Sequence, residues 1–231
     1  MDSRRSAGKN RTVHGRDARA LLRWGRGTRR DFPWRQERDP YRLVVTELML
    51  VRTRAEQVSR LWRAFFETFP TLRSLADADE REVAIAIRPL GLDWRNRRIL
   101  DFARAAVVVP DWLDSLGSLP GAGPYVVAAA KTGIVGRGPM PVDVTIARVV
   151  ARYFGIQVTG EARRDQQILE AARLMGRRSR NYFHAWLDLA ALICTPKAPA
   201  CRECPIREGC RSSTARDEMP EPAVGSTRSG R

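Results

Sequence analysis

Lysine is almost missing from this chain of 231 residues: Lys9, Lys131 and Lys197 are the only three. Chemistry that needs a lysine amine is confined to those positions, and nearly all the positive charge is arginine. Cysteine is absent outside residues 194–210, which excludes disulfides stapling distant segments together, the framework of small secreted domains. Long apolar runs are lacking too. The longest, residues 43–51, is interrupted by Thr46 and Glu47 and is far shorter than the ~20 residues that span a bilayer. Residues 1–11 are rich in Arg, Ser and Lys and hold no apolar core, so no secretory signal is expected there. Acidic residues are in deficit, 26 Asp and Glu against 41 Lys and Arg, for a net charge of +15. Such an excess favours a polyanionic partner. No basic amphipathic anchor with exposed aromatics stands out, so nucleic acid is expected rather than a membrane. A cytoplasmic, nucleoid-associated monomer fits these features.

The composition is otherwise globular, with 43% hydrophobic residues, near the ordinary average. The length suits one sizeable domain or two small ones sharing a core. Residues 1–16 and 212–231 are polar and are expected to be disordered tails. Between them the apolar periodicity is helical. Helices are expected over residues 18–24, ended by Gly25 and Gly27, and over 41–51, opened by Pro40. An amphipathic helix carries Val58, Leu61, Trp62, Phe65 and Phe66 on one face. Helical patterns continue over 72–76, 80–87 and 95–108, with 111–117 as one short helix. Further helices are expected from Tyr125, then over 144–154, 165–175 and 182–193, and residues 136–141 read as a loop. No strand ladder is evident. The fold class is all-α.

Three local patterns carry chemistry. Cys194-x6-Cys201-x2-Cys204-x5-Cys210 places four thiols within 17 residues. Four thiolates so arranged can enclose a tetrahedral zinc ion or a [4Fe-4S] cube, and spacing alone leaves the metal open. The second pattern is Leu119-Pro120-Gly121-Ala122-Gly123-Pro124-Tyr125. Its glycines permit a tight hairpin and close approach of backbone to a ligand, and Pro124 suits the first position of a helix. Exposed amides at such a hairpin can hold a phosphate, although a plain helix–helix turn would read the same way. The third is Glu47, an acid with apolar neighbours on both sides. Either an arginine pairs with it, or it sits in a low-dielectric pocket with a raised pKa and serves as a proton donor or base. Asp143, in Pro141-Val142-Asp143-Val144, is a second candidate acid that also suits a helix N-cap. Asp188, in Trp186-Leu187-Asp188-Leu189, reads as structural, and His184 as a packing residue.

The hairpin of residues 119–123, the Val142-Asp143 that follows it and the cysteine spacing occur in one order. In that order they resemble the helix-hairpin-helix superfamily of base-excision DNA glycosylases that contains endonuclease III. The resemblance covers residues 30–210. Phe32-Pro33-Trp34-Arg35, Asp39-Pro40-Tyr41 and Thr46-Glu47-Leu48-Met49-Leu50 are similar to its mismatch branch. That branch holds an adenine glycosylase acting opposite oxidised guanine and a thymine/uracil glycosylase acting on mispairs with guanine. Val51-Arg52-Thr53 is nearer the Arg-Arg-Thr of the thymine/uracil enzyme than the Gln-Gln-Thr of the adenine enzyme. Tyr125 stands where the thymine/uracil enzyme has tyrosine, endonuclease III its Schiff-base lysine and the adenine enzyme usually serine. The adenine enzyme's large C-terminal domain has no counterpart after the cysteines. Two features depart from the pattern. The segment from Arg104 to Leu119 is shorter than in relatives, and Asp93-Trp94-Arg95, which resembles the loop probing the duplex, matches neither enzyme.

The resemblance implies a six-helix barrel domain with the helix-hairpin-helix over residues 39–142. A second helical domain, from 17–38 and 143–211, would hold a [4Fe-4S] cluster on Cys194, Cys201, Cys204 and Cys210, with the active-site cleft between the two. The implied partner is double-stranded DNA containing a mismatched or damaged base. The implied reaction is hydrolysis of the N-glycosidic bond of thymine or uracil opposite guanine. Asp143 would stabilise charge on the sugar and activate water, and Glu47 would protonate the base or position the water. Tyr125 would hydrogen-bond in the pocket without forming a Schiff base. Arg52 would fill the gap left by the flipped base, with Leu119, Gly121, Gly123, Trp94 and Arg35 also on DNA. A single-domain adenine glycosylase, a noncatalytic DNA-binding module and a zinc-bound structural protein are the competing readings.

Overall fold

The structure, a computed structural model, describes residue 13 and residues 15–138, 140–158, 160–175 and 178–213. The rest of both expected tails lies outside the described residues. Ten helices run through the described chain: α1 (Gly15–Thr28), α2 (Pro40–Leu50), α3 (Ala55–Thr68), α4 (Leu72–Ala76), α5 (Glu80–Ile87), α6 (Trp94–Val107), α7 (Pro124–Val135), α8 (Val144–Phe154), α9 (Gln166–Leu174) and α10 (Arg180–Leu192). Their starts follow capping chemistry. Asp39 accepts the Tyr41 amide with Pro40 behind it, Thr71 with Ser74 and Asp79 with Glu82 form capping boxes, and Ser179 accepts the Tyr182 amide. Each satisfies amides that a helix cannot satisfy internally.

Buried apolar residues form two cores. The first is built by α2 to α7 and includes Val44, Leu48, Phe65, Ile99 and Phe102. The second joins α1, α8, α9 and α10 around Leu21, Ile146, Ile168 and Trp186. Phe32 and Trp34, placed by the sequence with the second part, stack at 4.9 Å within the first core. Tyr125 packs against both.

Three elements differ from expectation. α1 begins at Gly15, inside the expected tail, and continues through Gly25 and Gly27 to Thr28. Gly25 is a packing residue: a Cβ there would come within 2.8 Å of the Ala185 Cβ on α10. Residues 111–117 form successive turns ending in a 3-10 turn over Leu116–Ser118. Pro110 is followed by Asp111 at φ +50°, which diverts the chain from a right-handed helix. Residues read as a loop after α7 contribute β1 (Arg137–Gly138), which pairs antiparallel with β2 (Arg178–Ser179).

Arg35, expected on DNA, is a correction. Its guanidinium is buried and makes a two-pronged contact with Asp188 on α10, at 2.7 and 2.6 Å. Arg30 adds a hydrogen bond to Asp188 at 2.7 Å. Arg180 reaches the Glu37 carbonyl at 2.7 Å. Burial alone would raise the Asp188 pKa, but the bonds from Arg35 and Arg30 outweigh it and hold the carboxyl below its ordinary value. This planar pairing ties the segment before α2 to α10, and leaves Arg35 no face for a ligand. Asp188 is structural, as its sequence context suggested. His184 lies beside the pair, and burial followed by the charges of Arg35 and Arg29 lowers its pKa to about 3. It is a neutral packing residue.

Candidate active site

Two polar side chains interrupt the apolar run of α2, and they have opposite fates. Thr46 is satisfied: its hydroxyl donates to the Arg42 carbonyl at 2.6 Å and accepts the Trp62 indole N–H at 2.7 Å. Glu47 is not paired with any arginine among the described residues, and its Oε2 is enclosed without a hydrogen-bond partner. Burial, then the negative charge of Asp143, raises its pKa from 4.5 to about 8, opposed by a hydrogen bond with Tyr125. Glu47 therefore keeps its proton near neutrality.

Tyr125 reaches this place as the second residue of α7, whose start is set by Gly123 and Pro124. Burial first, then the charges of Glu47 and Asp143, pushes its pKa well above 10, so it stays a neutral hydroxyl. Asp143 arrives from the other core. It caps α8, with Oδ1 accepting the Ile146 amide at 2.6 Å. Burial raises its pKa, while hydrogen bonds from Ile146 and Thr145 and the charge of Arg148 work against the rise. Two carboxyls thus lie within electrostatic reach in unlike surroundings. One is enclosed by apolar neighbours, and the other is held by amides that favour its anion. Environments of this kind separate an acid from a base or anion.

The hairpin lies beside the acids. Gly121 has φ +77°, and a Cβ there would sit 2.7 Å from Arg98 Cγ and 3.1 Å from Leu48 Cδ2. Only glycine combines that φ with that closeness. The Gly121 amide meets no main-chain acceptor among the described residues, whereas the Gly123 amide donates to the Gly121 carbonyl at 3.0 Å. The amides of Tyr125 and Val126 belong to the first turn of α7 and have no acceptor within the helix. An anion can be held there by Gly121, Tyr125 and Val126. Gly123 serves as the α7 N-cap instead. Leu119, expected on DNA, is placed inside the hairpin. Its side chain is buried, its amide donates to Leu116 and its carbonyl accepts from Ala122, so it shapes the hairpin.

Arg52 is exposed at the turn after α2, with φ +57°. Trp94, 39% exposed, opens α6, and the Arg98 guanidinium lies 4.7 Å from the centre of its ring. The Arg98 stem packs on Gly121, so one arginine links Trp94 to the hairpin. Sequence reasoning missed Arg98 and Leu92, and it placed Arg95 in the segment probing the duplex, where the structure buries it. Their neighbours come from other elements, and the i to i+4 spacing of Trp94 and Arg98 was the one available sign.

No disulfide joins the cysteines, and all four are half-buried. Burial, and then the nearness of Cys210, Cys194 and Cys201, pushes the Cys204 thiol up to about 11 against an Ile206 amide that lowers it. The four thiols therefore share one neighbourhood. Among the described residues, no three Cys, His, Asp or Glu gather as a site for one metal ion. Two arginines of α8 grip this loop. Arg148 donates to the carbonyls of Cys194 and Ala190. Arg152 donates to Cys194 Sγ at 3.4 Å and to the carbonyls of Thr195 and Pro196, both at 2.7 Å.

Comparison with known proteins places this arrangement. Residues 45–173 match the family described as HhH-GPD superfamily base excision DNA repair protein. The thymine/uracil-DNA glycosylase of Methanothermobacter thermautotrophicus is 30% identical over 198 residues, covering 82% of this chain and 90% of that protein. The adenine DNA glycosylase of Homo sapiens is 31% identical over 218 residues, but only 38% of that protein is covered. A solved structure of a thermostable thymine-DNA glycosylase superposes with a TM-score of 0.75 at 29% identity, covering 86% of this chain and 95% of that one. A non-covalent endonuclease III–DNA complex shares the fold, with a TM-score of 0.68 at 18% identity.

The raised pKa of Glu47 predicts a pH-dependent stability. Between pH 4.5 and about 8 the folded protein holds a proton that the unfolded chain releases, so this group's contribution is present below pH 4.5 and is lost as pH rises towards 8. Glu47→Gln removes the penalty, worth roughly 3 kcal/mol after allowing for the partial solvent contact of the side chain. In urea unfolding, the advantage of Glu47→Gln should grow steadily across that window and level off above it. A difference that does not change with pH would show that Glu47 ionises normally.

Proposed function

The chain belongs to the HhH-GPD superfamily of base excision DNA repair proteins and is a DNA N-glycosylase, and we propose that its substrate is thymine or uracil mispaired with guanine. The observation that carries the reading is the trio Glu47, Tyr125 and Asp143, in which one acid holds its proton near neutrality and the other caps a helix. Tyrosine beside the two acids also distinguishes the site from the adenine enzyme, which usually has serine there.

A base inside a stacked duplex is out of reach and must be flipped into a pocket, at lower cost when it is mispaired. Amides of the hairpin hold a phosphate near the lesion, and the arginine excess supplies salt-sensitive affinity for the duplex. Breaking the N-glycosidic bond develops positive charge on the sugar. Asp143 stabilises that charge and accepts a proton from the attacking water. Glu47 donates its proton to the departing base, and Tyr125 holds the Glu47 carboxyl by its hydroxyl.

Among the described residues, no lysine stands at the trio. Lys131 is exposed six residues along α7 from Tyr125, and Lys197 is exposed in the cysteine loop. With no amine to form a Schiff base, the product is an intact abasic site. Cys194, Cys201, Cys204 and Cys210 suit a [4Fe-4S] cluster. Four thiols within one loop of 17 residues, near enough to one another to interact electrostatically, support that reading. When bound, the cluster supplies a cross-link that orders the loop, and Lys197, Arg202 and Arg207 are the basic residues that loop carries.

Purified protein incubated with end-labelled duplexes bearing T·G, U·G, A·G and A opposite 8-oxoguanine should cut T·G or U·G strands only after hot alkali. Asp143→Asn, which retains an N-cap of similar quality, should lose on the order of 10²–10⁴-fold in rate and still bind duplex. Cutting at adenine alone would move the protein to the adenine reading. Cutting without alkali would overturn the monofunctional assignment, and a fully active Asp143→Asn would overturn the mechanism. Brown protein with broad visible absorption, lost on removal of iron, is expected; a colourless zinc protein would contradict the cluster.

A further inference from the structure

One fully buried cation has no acid beside it. Arg95, the second residue of α6, is completely buried, and no carboxylate among the described residues pairs with it. Its Nε has no hydrogen-bond partner, and burial lowers its pKa. Enclosing an unpaired guanidinium opposes folding, so packing alone does not explain this residue.

Its hydrogen bonds run to two separate loops. Nη2 donates to the Val51 carbonyl and to Thr53 Oγ1, both at 2.6 Å, on the two sides of Arg52. Nη1 donates to the carbonyls of Leu90 and Gly91, both at 3.1 Å, just ahead of Leu92. Each loop carries a non-glycine residue in the left-handed region, Arg52 at φ +57° and Leu92 at φ +65°. L side chains seldom adopt that region unless the surroundings enforce it. Both side chains are exposed, and so is neighbouring Trp94. The same guanidinium therefore fixes the two loop tips that would face DNA.

We propose that Arg95 is a positioning residue that pins the Arg52 turn to the loop of residues 90–94, so that Arg52, Leu92 and Trp94 form one preset edge against the duplex. The proposal rests on the glycosylase reading. A preset edge spares the ordering that the loops would otherwise undergo when the base flips. The planar fork is essential, because the single ammonium of lysine cannot direct two parallel sets of hydrogen bonds to two loops.

The test uses the full chain and the variants Arg95→Met, Arg95→Lys, Arg52→Ala and the double variant Arg52→Ala/Arg95→Met. Single-turnover excision from T·G and U·G duplexes, affinity for matched duplex, and amide hydrogen exchange are measured on each. Arg95→Met should speed exchange in residues 50–54 and 88–94 together and leave matched-duplex affinity within about twofold. It should also slow excision by about 10- to 100-fold. Arg52→Ala should cost about tenfold in the wild-type background and less than about twofold on top of Arg95→Met, the non-additivity of residues acting as a unit. Arg95→Lys should behave like Arg95→Met. Should Arg95→Met fail to fold, Thr53→Val removes one acceptor at a half-buried position and should speed exchange in residues 50–54 and slow excision severalfold. Additive losses, faster exchange with unchanged excision, or full activity in Arg95→Lys would each overturn the proposal. A wild-type protein inactive on both duplexes would overturn the glycosylase reading instead. Arg95 would then be judged on exchange and on the preference for mismatched over matched duplex, which Arg95→Met must lower.

Discussion

A carboxyl group kept from water is the constraint around which the site is arranged. Glu47 occupies a helix whose neighbouring residues Val44, Val45, Leu48 and Met49 are all buried. An ionised acid there is opposed both by desolvation and by Asp143. The proton it keeps is the useful consequence. Tyr125 steadies the carboxyl without neutralising it, and the enclosing apolar core is what allows an acid to remain protonated near neutral pH.

The two acids belong to different halves of the molecule. Glu47 projects from the first core, while Asp143 heads a helix of the second, and Tyr125 touches both. The site therefore exists only while the halves keep their register. The buried Arg35–Asp188 pair fixes the segment before α2 to α10. Helix α8 carries the register further: Asp143 stands at its head, Arg148 and Arg152 farther along grip the cysteine loop, and Tyr153 bonds Asp17 of α1 at 2.6 Å. Order in the cysteine loop is mechanically connected to the position of Asp143, which would give the proposed cluster a structural part in the site.

Much of this was legible in the sequence, and what was missed shares a cause. Helix positions followed from apolar period and capping residues, and Glu47 stood out because an acid in an apolar run violates a local rule. Asp143 and Asp188 could be told apart because one precedes a helix next to the hairpin and the other lies in a helix interior. Arg35 could not be placed, because the acid that claims it lies 153 residues away. Gly25 looked like a helix end for the same reason, since the Ala185 that demands a small residue is on a distant helix. Arg95 was read with Asp93 and Trp94 as part of the segment probing the duplex, and only the loops it binds show that its guanidinium is turned inward. Local chemistry was readable; long-range pairing of arginine, the commonest charge here, was not.

The division of labour between the two acids depends most directly on the ionisation of Glu47. Carbon-13 NMR of the side-chain carboxyls, with Glu47→Gln used to assign the resonance, would follow that group through a pH titration of the DNA-free protein. A midpoint near pH 8, well separated from the exposed glutamates, is expected. A midpoint near 4.5 would mean that Glu47 is an ordinary carboxylate at neutral pH, and the assignment of one acid as proton donor and the other as anion would fall.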